Sequence, residues 1–208
     1  MTLYSYVITR DYGFAPNPFG GYCTLAACKP NIRKTAKIGD WIAGTGSNSR
    51  KYGMGNRLIY AMQVDEKISF AEYWNDPRFK CKKPIMNGSK KQQYGDNIYS
   101  FDVSQNKLIQ ADSHHSLNNG IINEKNYNRD VRGKYVLIST QFWYFGINAI
   151  LIPEELRSKI IKAGIGYKKV IDENAVESFI TWLSGNYATG YRGVPCLFKG
   201  DFERYDGN

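Results

Sequence analysis

Tyr4, Tyr6 and Ile8 alternate with Ser5, Val7 and Thr9 near the start of the chain, the period of two that marks a β-strand. The same signature, rich in β-branched and aromatic residues, returns at 41–45, 57–64, 98–102, 107–112, 135–139 and 141–145. Residues 57–64 give the clearest strand, while 24–28 read as a short strand or turn and 29–37 as a basic connection. Gly39-Asp40 makes a turn, and 47–56 read as a polar, glycine-bearing hairpin loop. Ser69-Phe-Ala-Glu72 has the spacing of a capping box, so a short helix is expected over 70–75, stopped by Asp76-Pro77. Two polar stretches, 78–95 and 114–133, read as surface loops, the second long enough to be functional or mobile.

After residue 150 the period lengthens. Pro153 opens a helix to about residue 163, with Leu156, Ile160 and Ala163 on one face. Asn174 caps a second helix, with Glu177 at the capping-box position, Val176, Phe179, Ile180 and Leu183 at helical spacing, and Gly185 as the stop. The apolar, irregular segment 191–198 is expected to pack back on the body. Many short strands followed by a helical pair define an α+β chain, its strands forming one small curved sheet or a small barrel. With no internal repeat and no linker, residues 1–208 read as one domain: a β-rich core, 1–150, and a helical extension, 151–208.

Composition sharpens the expected partner. The 208 residues are 42% hydrophobic and 23% charged, which fits a folded globule rather than a disordered chain. Aromatics reach 14%, with sixteen tyrosines, and the formal net charge is +9. Cations meet phosphates and ring faces stack on bases, so DNA, RNA or a nucleotide is the expected partner; a solvated lysine-rich surface is the simpler account. No signal peptide or membrane-length apolar run is present, so a cytoplasmic protein without a membrane partner is expected, its four cysteines reduced. The pattern says nothing of a protein partner.

Candidate chemistry divides among a few segments. Gly44-Thr-Gly-Ser47 follows a strand but lacks the lysine of a phosphate loop; it is either a plain turn or a place of close approach for a base. Cys23 and Cys28 lack the paired spacing of a zinc site, so no metal is assigned, and no cofactor fingerprint is present. A Cys–His catalytic pair stays open, because spatial neighbours need not be sequence neighbours. Asp112-Ser-His-His-Ser116 holds both histidines and is the best acid–base candidate. On an extended segment His114 and His115 would face opposite ways. Phe142 to Phe145, Tyr73, Trp74 and Trp41 read first as core. Arg78 with Lys80, Lys82, Lys83, Lys90 and Lys91 is either a phosphate-facing patch or solvated charge.

Phe14-Ala-Pro-Asn-Pro-Phe-Gly-Gly-Tyr22, which cannot be a helix or ordinary strand, and Gly39-Asp-Trp-Ile-Ala-Gly-Thr-Gly-Ser47 are the most distinctive wording in the chain. Together they resemble the second nucleotide-modification-associated domain family of bacteria and their phages. The order of turn, strand, loop, long strand and capped Phe-x-x-Tyr-Trp turn over residues 4–112 also resembles the PUA-like barrels of the EVE and ASCH branches. That resemblance implies a PUA-like β-barrel and a base held in an aromatic- and glycine-lined pocket. By position, Phe14, Asn17, Phe19, Tyr22, Trp41, Gly44, Thr45, Gly46, Ser47 and Arg57 would bind the ligand. The preferred expectation is a nucleic-acid or nucleotide-binding protein associated with modified DNA bases. The alternatives are an enzyme of DNA base hypermodification, with His114, His115, Asp112 and Cys23 as catalytic candidates, or an interaction protein in phage–host conflict.

Overall fold

A computed structural model describes residues 1–48 and 53–207. In chain order the elements are β1 (Leu3–Ile8), β2 (Cys23–Leu25), α1 (Pro30–Thr35), β3 (Trp41–Gly46), β4 (Arg57–Gln63), β5 (Glu66–Ser69), α2 (Phe70–Asn75), α3 (Lys90–Gln93), β6 (Tyr99–Asp102), β7 (Lys107–Gln110), α4 (Glu124–Val131), β8 (Tyr135–Ser139), β9 (Phe142–Tyr144), β10 (Ile150–Leu151), α5 (Glu154–Ile160), β11 (Tyr167–Val170), α6 (Glu173–Asn186) and β12 (Gly190–Tyr191). Short 3-10 turns lie at Pro77–Lys82, Asn118–Gly120 and Gly146–Asn148. These elements sort into two compact units, each assembled from segments distant in sequence.

The first unit comprises Met1–Asp11, Ala36–Asp65 and Ser139–Leu197. Its sheet runs β11-β1-β3-β4-β9-β12, with β10 also pairing β4; β1 and β3 are parallel and β3 and β4 antiparallel. The path is open, so the α+β class holds while the closed-barrel alternative gives way to an open sheet. Helices α5 and α6 lay Leu156, Ile160, Val176, Phe179 and Leu183 into the core with Trp41, Leu58, Ala61 and Trp143. The indoles of Trp41 and Trp143 stack at 5.7 Å between ring centroids. The helical pair is real, but its limits differ from the pattern. Asp172, not Asn174, caps α6, its carboxylate accepting the Asn174 amide at 3.1 Å. Gly185 lies inside that helix, and α5 stops at Ile160. Strand β11, hidden in the polar run Tyr-Lys-Lys-Val, pairs with β1 as an edge strand and so does not need an apolar face.

The second unit comprises Tyr12–Thr35, Glu66–Ile138 and Phe198–Asn208. A small sheet, β2-β8-β5, and the β6–β7 hairpin carry four short helices. The capping box on α2 forms as expected: the Glu72 amide donates to Ser69 Oγ at 3.2 Å, and the Ser69 amide to the Glu72 carboxylate at 2.7 Å. Both expected polar loops hold structure instead. Residues 78–95 carry a 3-10 turn and α3, anchored by buried Phe79, Lys82 and Tyr94. Residues 114–133 carry α4, whose buried residues are Asn126 and Asp130. A short helix whose buried residues are polar has little apolar content to set it apart from a loop. Residues 29–37, expected as a basic connection, contain α1. Among the described residues no helix is long and apolar enough to cross a membrane.

Candidate functional site

Lys82 organises one face of the second unit. Its side chain is 1% exposed, yet it carries an ammonium group, so burial lowers its pKa and its donors must be satisfied. The three N–H donors of Nζ share four acceptors: the Asn17 carbonyl at 3.0 Å, Asn17 Oδ1 at 2.7 Å, the Tyr22 carbonyl at 3.0 Å and Thr24 Oγ1 at 3.1 Å. Asp96 completes the network, accepting from Thr24 Oγ1 at 2.6 Å and Tyr73 Oη at 2.8 Å, and burial pushes its carboxyl up to about 6. The Pro/Gly/aromatic loop is thereby fixed to the lysine-rich segment.

What this leaves outside is a face of half-buried rings edged by cations. Lys83 Nζ sits 3.9 Å over the Trp74 ring, Lys91 Nζ 5.4 Å over Phe19, and the Arg78 guanidinium 5.8 Å from Tyr22. Arg78 is already committed, forked onto Glu66 and held to Asp76 at 2.7 Å. Lys82 faces inward, so the outward charge of the segment is that of Lys80, Lys83, Lys90 and Lys91. Asn17, 1% exposed, spends its amide on the Tyr94 carbonyl and the Phe19 amide.

A second constellation in the same unit is chemically sharper. Cys28 follows β2, and His115 lies in a turn between β7 and α4. Asp130 comes from the buried side of α4. Asp130 Oδ2 accepts His115 Nδ1–H at 2.6 Å, and His115 Nε2 lies 3.7 Å from Cys28 Sγ. Both Asp130 oxygens are engaged: Oδ1 accepts the Cys28 amide at 2.8 Å, and Oδ2 also accepts Tyr99 Oη at 3.0 Å. Arg33 donates Nε to the Cys28 carbonyl at 2.8 Å, Nη1 to Tyr135 O and Nη2 to Asp130 O. The Cys28 backbone, clamped on both sides, adopts a left-handed conformation at φ +57°, a state that costs a non-glycine residue about 1–2 kcal/mol.

The electrostatics follow from this packing. Burial alone would raise the Asp130 carboxyl, but the His115 charge and hydrogen bond, with Arg33 and Arg129, hold it down to about 2. Burial alone would lower His115, but Asp130 and Cys28 raise it to about 9. Burial alone would raise the Cys28 thiol, yet the charge and hydrogen bond of His115 bring it below the ordinary thiol range. At neutral pH His115 is therefore an imidazolium donating to the Asp130 carboxylate, and its Nε2 edge faces a thiol that it makes more acidic than usual.

The other expected residues have defined places. Phe14 is buried, its ring 4.6 Å from His115 and 5.0 Å from His114. Because residues 114–115 form a turn rather than an extended segment, the two imidazoles lie side by side, 5.4 Å apart. His114 Nδ1 meets the Glu203 carbonyl at 2.5 Å among Tyr12, Tyr94 and Tyr205. Asp112 pairs with Arg204 at 2.7 Å. Cys23 is fully buried in β2, and burial drives its thiol far up. Trp41, Gly44, Thr45, Gly46, Ser47 and Arg57 belong to the first unit. There Gly44 packs against Ile8 and Tyr60, and Arg57 donates to the Ala149 carbonyl at 2.9 Å. The sequence reading missed Cys28 as the partner of His115 and missed Asp130 altogether. The available signal was a cysteine, a histidine and an acid in one chain, without their proximity.

An open cleft of about 320 Å³ lies between Ser116–Asn119 and Arg204–Asp206. Tyr205 lines it and also places its ring 5.7 Å from His115.

Fold and site together define an α+β protein with a thiol–imidazole–carboxylate cluster and a basic, ring-bearing face. The chain belongs to the family described as nucleotide modification associated domain 2, which matches residues 1–202 and whose name associates it with nucleotide modification. No curated protein and no solved structure matches the chain.

Proposed function

We propose that this protein binds DNA or a nucleotide and recognises a modified base, using the face where the aromatic loop and the lysine segment meet. The observation that carries the reading is Lys82, whose ammonium bonds to Asn17, Tyr22 and Thr24 hold that loop against the cationic segment. Tyr22 and Trp74 present half-buried rings beside the stacked pair Phe19 and Phe198, whose centroids lie 5.8 Å apart, and Lys80, Lys83, Lys90 and Lys91 supply positive charge beside them. Stacking on an aromatic side chain is worth about 1–3 kcal/mol per base, and lysines along a strand add a salt-dependent phosphate term. Ring faces of this kind need unpaired bases, which favours a single strand or a free nucleotide. Phe14 and Asn17 support the loop from within; Trp41, the Gly44 to Ser47 turn and Arg57 are not required by the proposal.

Fluorescence anisotropy with single-stranded oligonucleotides carrying plain or 5-hydroxymethylated pyrimidines tests it. Tighter binding of the modified strand, lost in a K80E/K83E/K90E/K91E variant and weakening steeply with salt, is the expected result. Equal binding of both strands, or none, rejects the reading. A catalytic reading is favoured by a separate observation, the cluster at Cys28.

A further inference from the structure

We propose that Cys28, His115 and Asp130 form a thiolate catalytic site that takes an acyl-bearing substrate and opens its amide, ester or thioester carbonyl through an S-acyl intermediate on Cys28. The inference does not rest on the binding reading; it rests on the order of the three side chains. Asp130 orients the imidazole through Nδ1–H, which turns Nε2 toward Sγ at 3.7 Å. The same carboxylate fixes the nucleophile's own backbone through the Cys28 amide. One acid thus sets both the base and the nucleophile.

A metal ion is the rival occupant, because one ligand atom from each residue lies within 4.8 Å of the others. The hydrogen bonds argue against it. Both Asp130 oxygens already accept N–H donors and Nδ1 faces the carboxylate, so the carboxylate is used to position the other two groups, leaving Sγ and Nε2 as the readier ligands. Zinc sites in proteins hold three or four such ligands. Arg33 is excluded as a phosphate-binding group by its three bonds to backbone carbonyls.

The acyl assignment follows from what the imidazolium can do. Sγ attacks the carbonyl carbon, an S–C bond forms, and the electron pair moves to the carbonyl oxygen. As the electron pair returns from oxygen and the C–N, C–O or C–S bond breaks, Nε2–H gives its proton to the departing nitrogen, oxygen or sulfur. Water or an amine then attacks the thioester, returns a proton to His115, and releases the acyl group while Cys28 leaves as thiolate. No oxidant, reductant or further reactant is needed.

Cys28 as a residue is half-buried, whereas His115 is 1% exposed, so the alkylation rate itself reads whether the thiol can be reached. The charged and titratable groups around the thiol are His115, Asp130, Arg33, Arg129, Lys29 and Tyr99.

The test is iodoacetamide alkylation of the whole chain, followed at Cys28 and at exposed Cys81 by peptide mass across pH 5 to 9, with p-nitrophenyl acetate as acyl donor. At pH 6 Cys28 should react about tenfold or more faster than Cys81, because the adjoining imidazolium favours the Cys28 thiolate. His115→Gln should shift the Cys28 profile up to that of an ordinary thiol, and circular dichroism checks its fold; if it unfolds, the wild-type profile decides. The ester should acetylate Cys28 with one equivalent of p-nitrophenolate released as a burst, and Cys28→Ser should abolish it. Cys28 reacting no faster than Cys81, a profile indifferent to His115→Gln, no acetyl-Cys28, or one equivalent of Zn²⁺ taken up by wild type and not by Cys28→Ser would each overturn the site. Because Cys28→Ser leaves the lysine face intact, oligonucleotide binding and thiol chemistry fail separately.

Discussion

His115 Nδ1 donates to Asp130 Oδ2 across 2.6 Å, with the two side chains 1% and 0% exposed. A charge pair this far from solvent is held by its surroundings: Tyr99, the Cys28 amide and the Cys28 sulfur take up the remaining lone pairs and proton.

Breaking that pair from one side should be costly. Asp130→Asn leaves the imidazole without its counter-charge, and loss of about 3–5 kcal/mol is expected from removing one partner of a buried ion pair. Urea unfolding measures it; a loss below about 1 kcal/mol would show that the pair is not charged in the folded protein.

The pair also sets a pH window. Asp130 titrates at about 2 folded against about 3.9 free, so its contribution is complete above about pH 4 and lost as pH falls through 2. His115 titrates at about 9 folded against about 6.5 free, so its contribution is complete below about 6.5 and lost as pH rises through 9. The stability difference between wild type and His115→Gln should therefore be largest between about pH 4 and 6.5 and shrink toward 9. A difference that grows with pH over that range would contradict the ion pair.

Asp96 acts with the opposite sign. Burial raises it to about 6, so its ionisation weakens the fold as pH climbs from about 4 to 6. Asp96→Asn should flatten this part of the stability profile, read by thermal unfolding at pH 4, 5 and 6.

Lys82→Met should loosen the loop that Lys82 holds. The buried Asn17 and Tyr22 carbonyls would lose their ammonium donor, a cost of about 2–4 kcal/mol together with faster amide exchange over residues 17–24. Oligonucleotide affinity should fall with it. Undiminished exchange protection in the variant would remove Lys82 as the fastening.

Gly133→Ala places a methyl group against the Arg33 guanidinium. Three backbone carbonyls pin that guanidinium, so it has little freedom to retreat. Overpacking of this kind costs about 1–3 kcal/mol, and a melting temperature lower by about 2–4 °C per kcal/mol is expected. The Cys28 alkylation rate at pH 6 should fall as well, because Arg33 also holds the Cys28 carbonyl.

Local physics was legible in the chain. The alternation in β1, the apolar run of β4, the Ser69–Glu72 box and the apolar stripe of α6 each carry their own signal within a few residues, because strand pairing faces, caps and helix faces are short-range patterns. So were the basic, aromatic character of the chain and the distinctiveness of the loop from Phe14 to Tyr22. Helix α4 and strand β11 were not, since one buries Asn126 and Asp130 and the other is a polar edge strand.

What only the tertiary structure decided is which polar groups meet. Lys82 reads in sequence as one more cation in a surface run, and only the fold turns it inward to hold the aromatic loop. Cys28 and Asp130 stand 102 residues apart, and His115 reaches both because a turn, not an extended strand, carries it. Hydrophobic periodicity records where a chain hides its apolar surface. It holds no record of a buried charge, whose place is set by partners that distant segments bring within hydrogen-bonding reach.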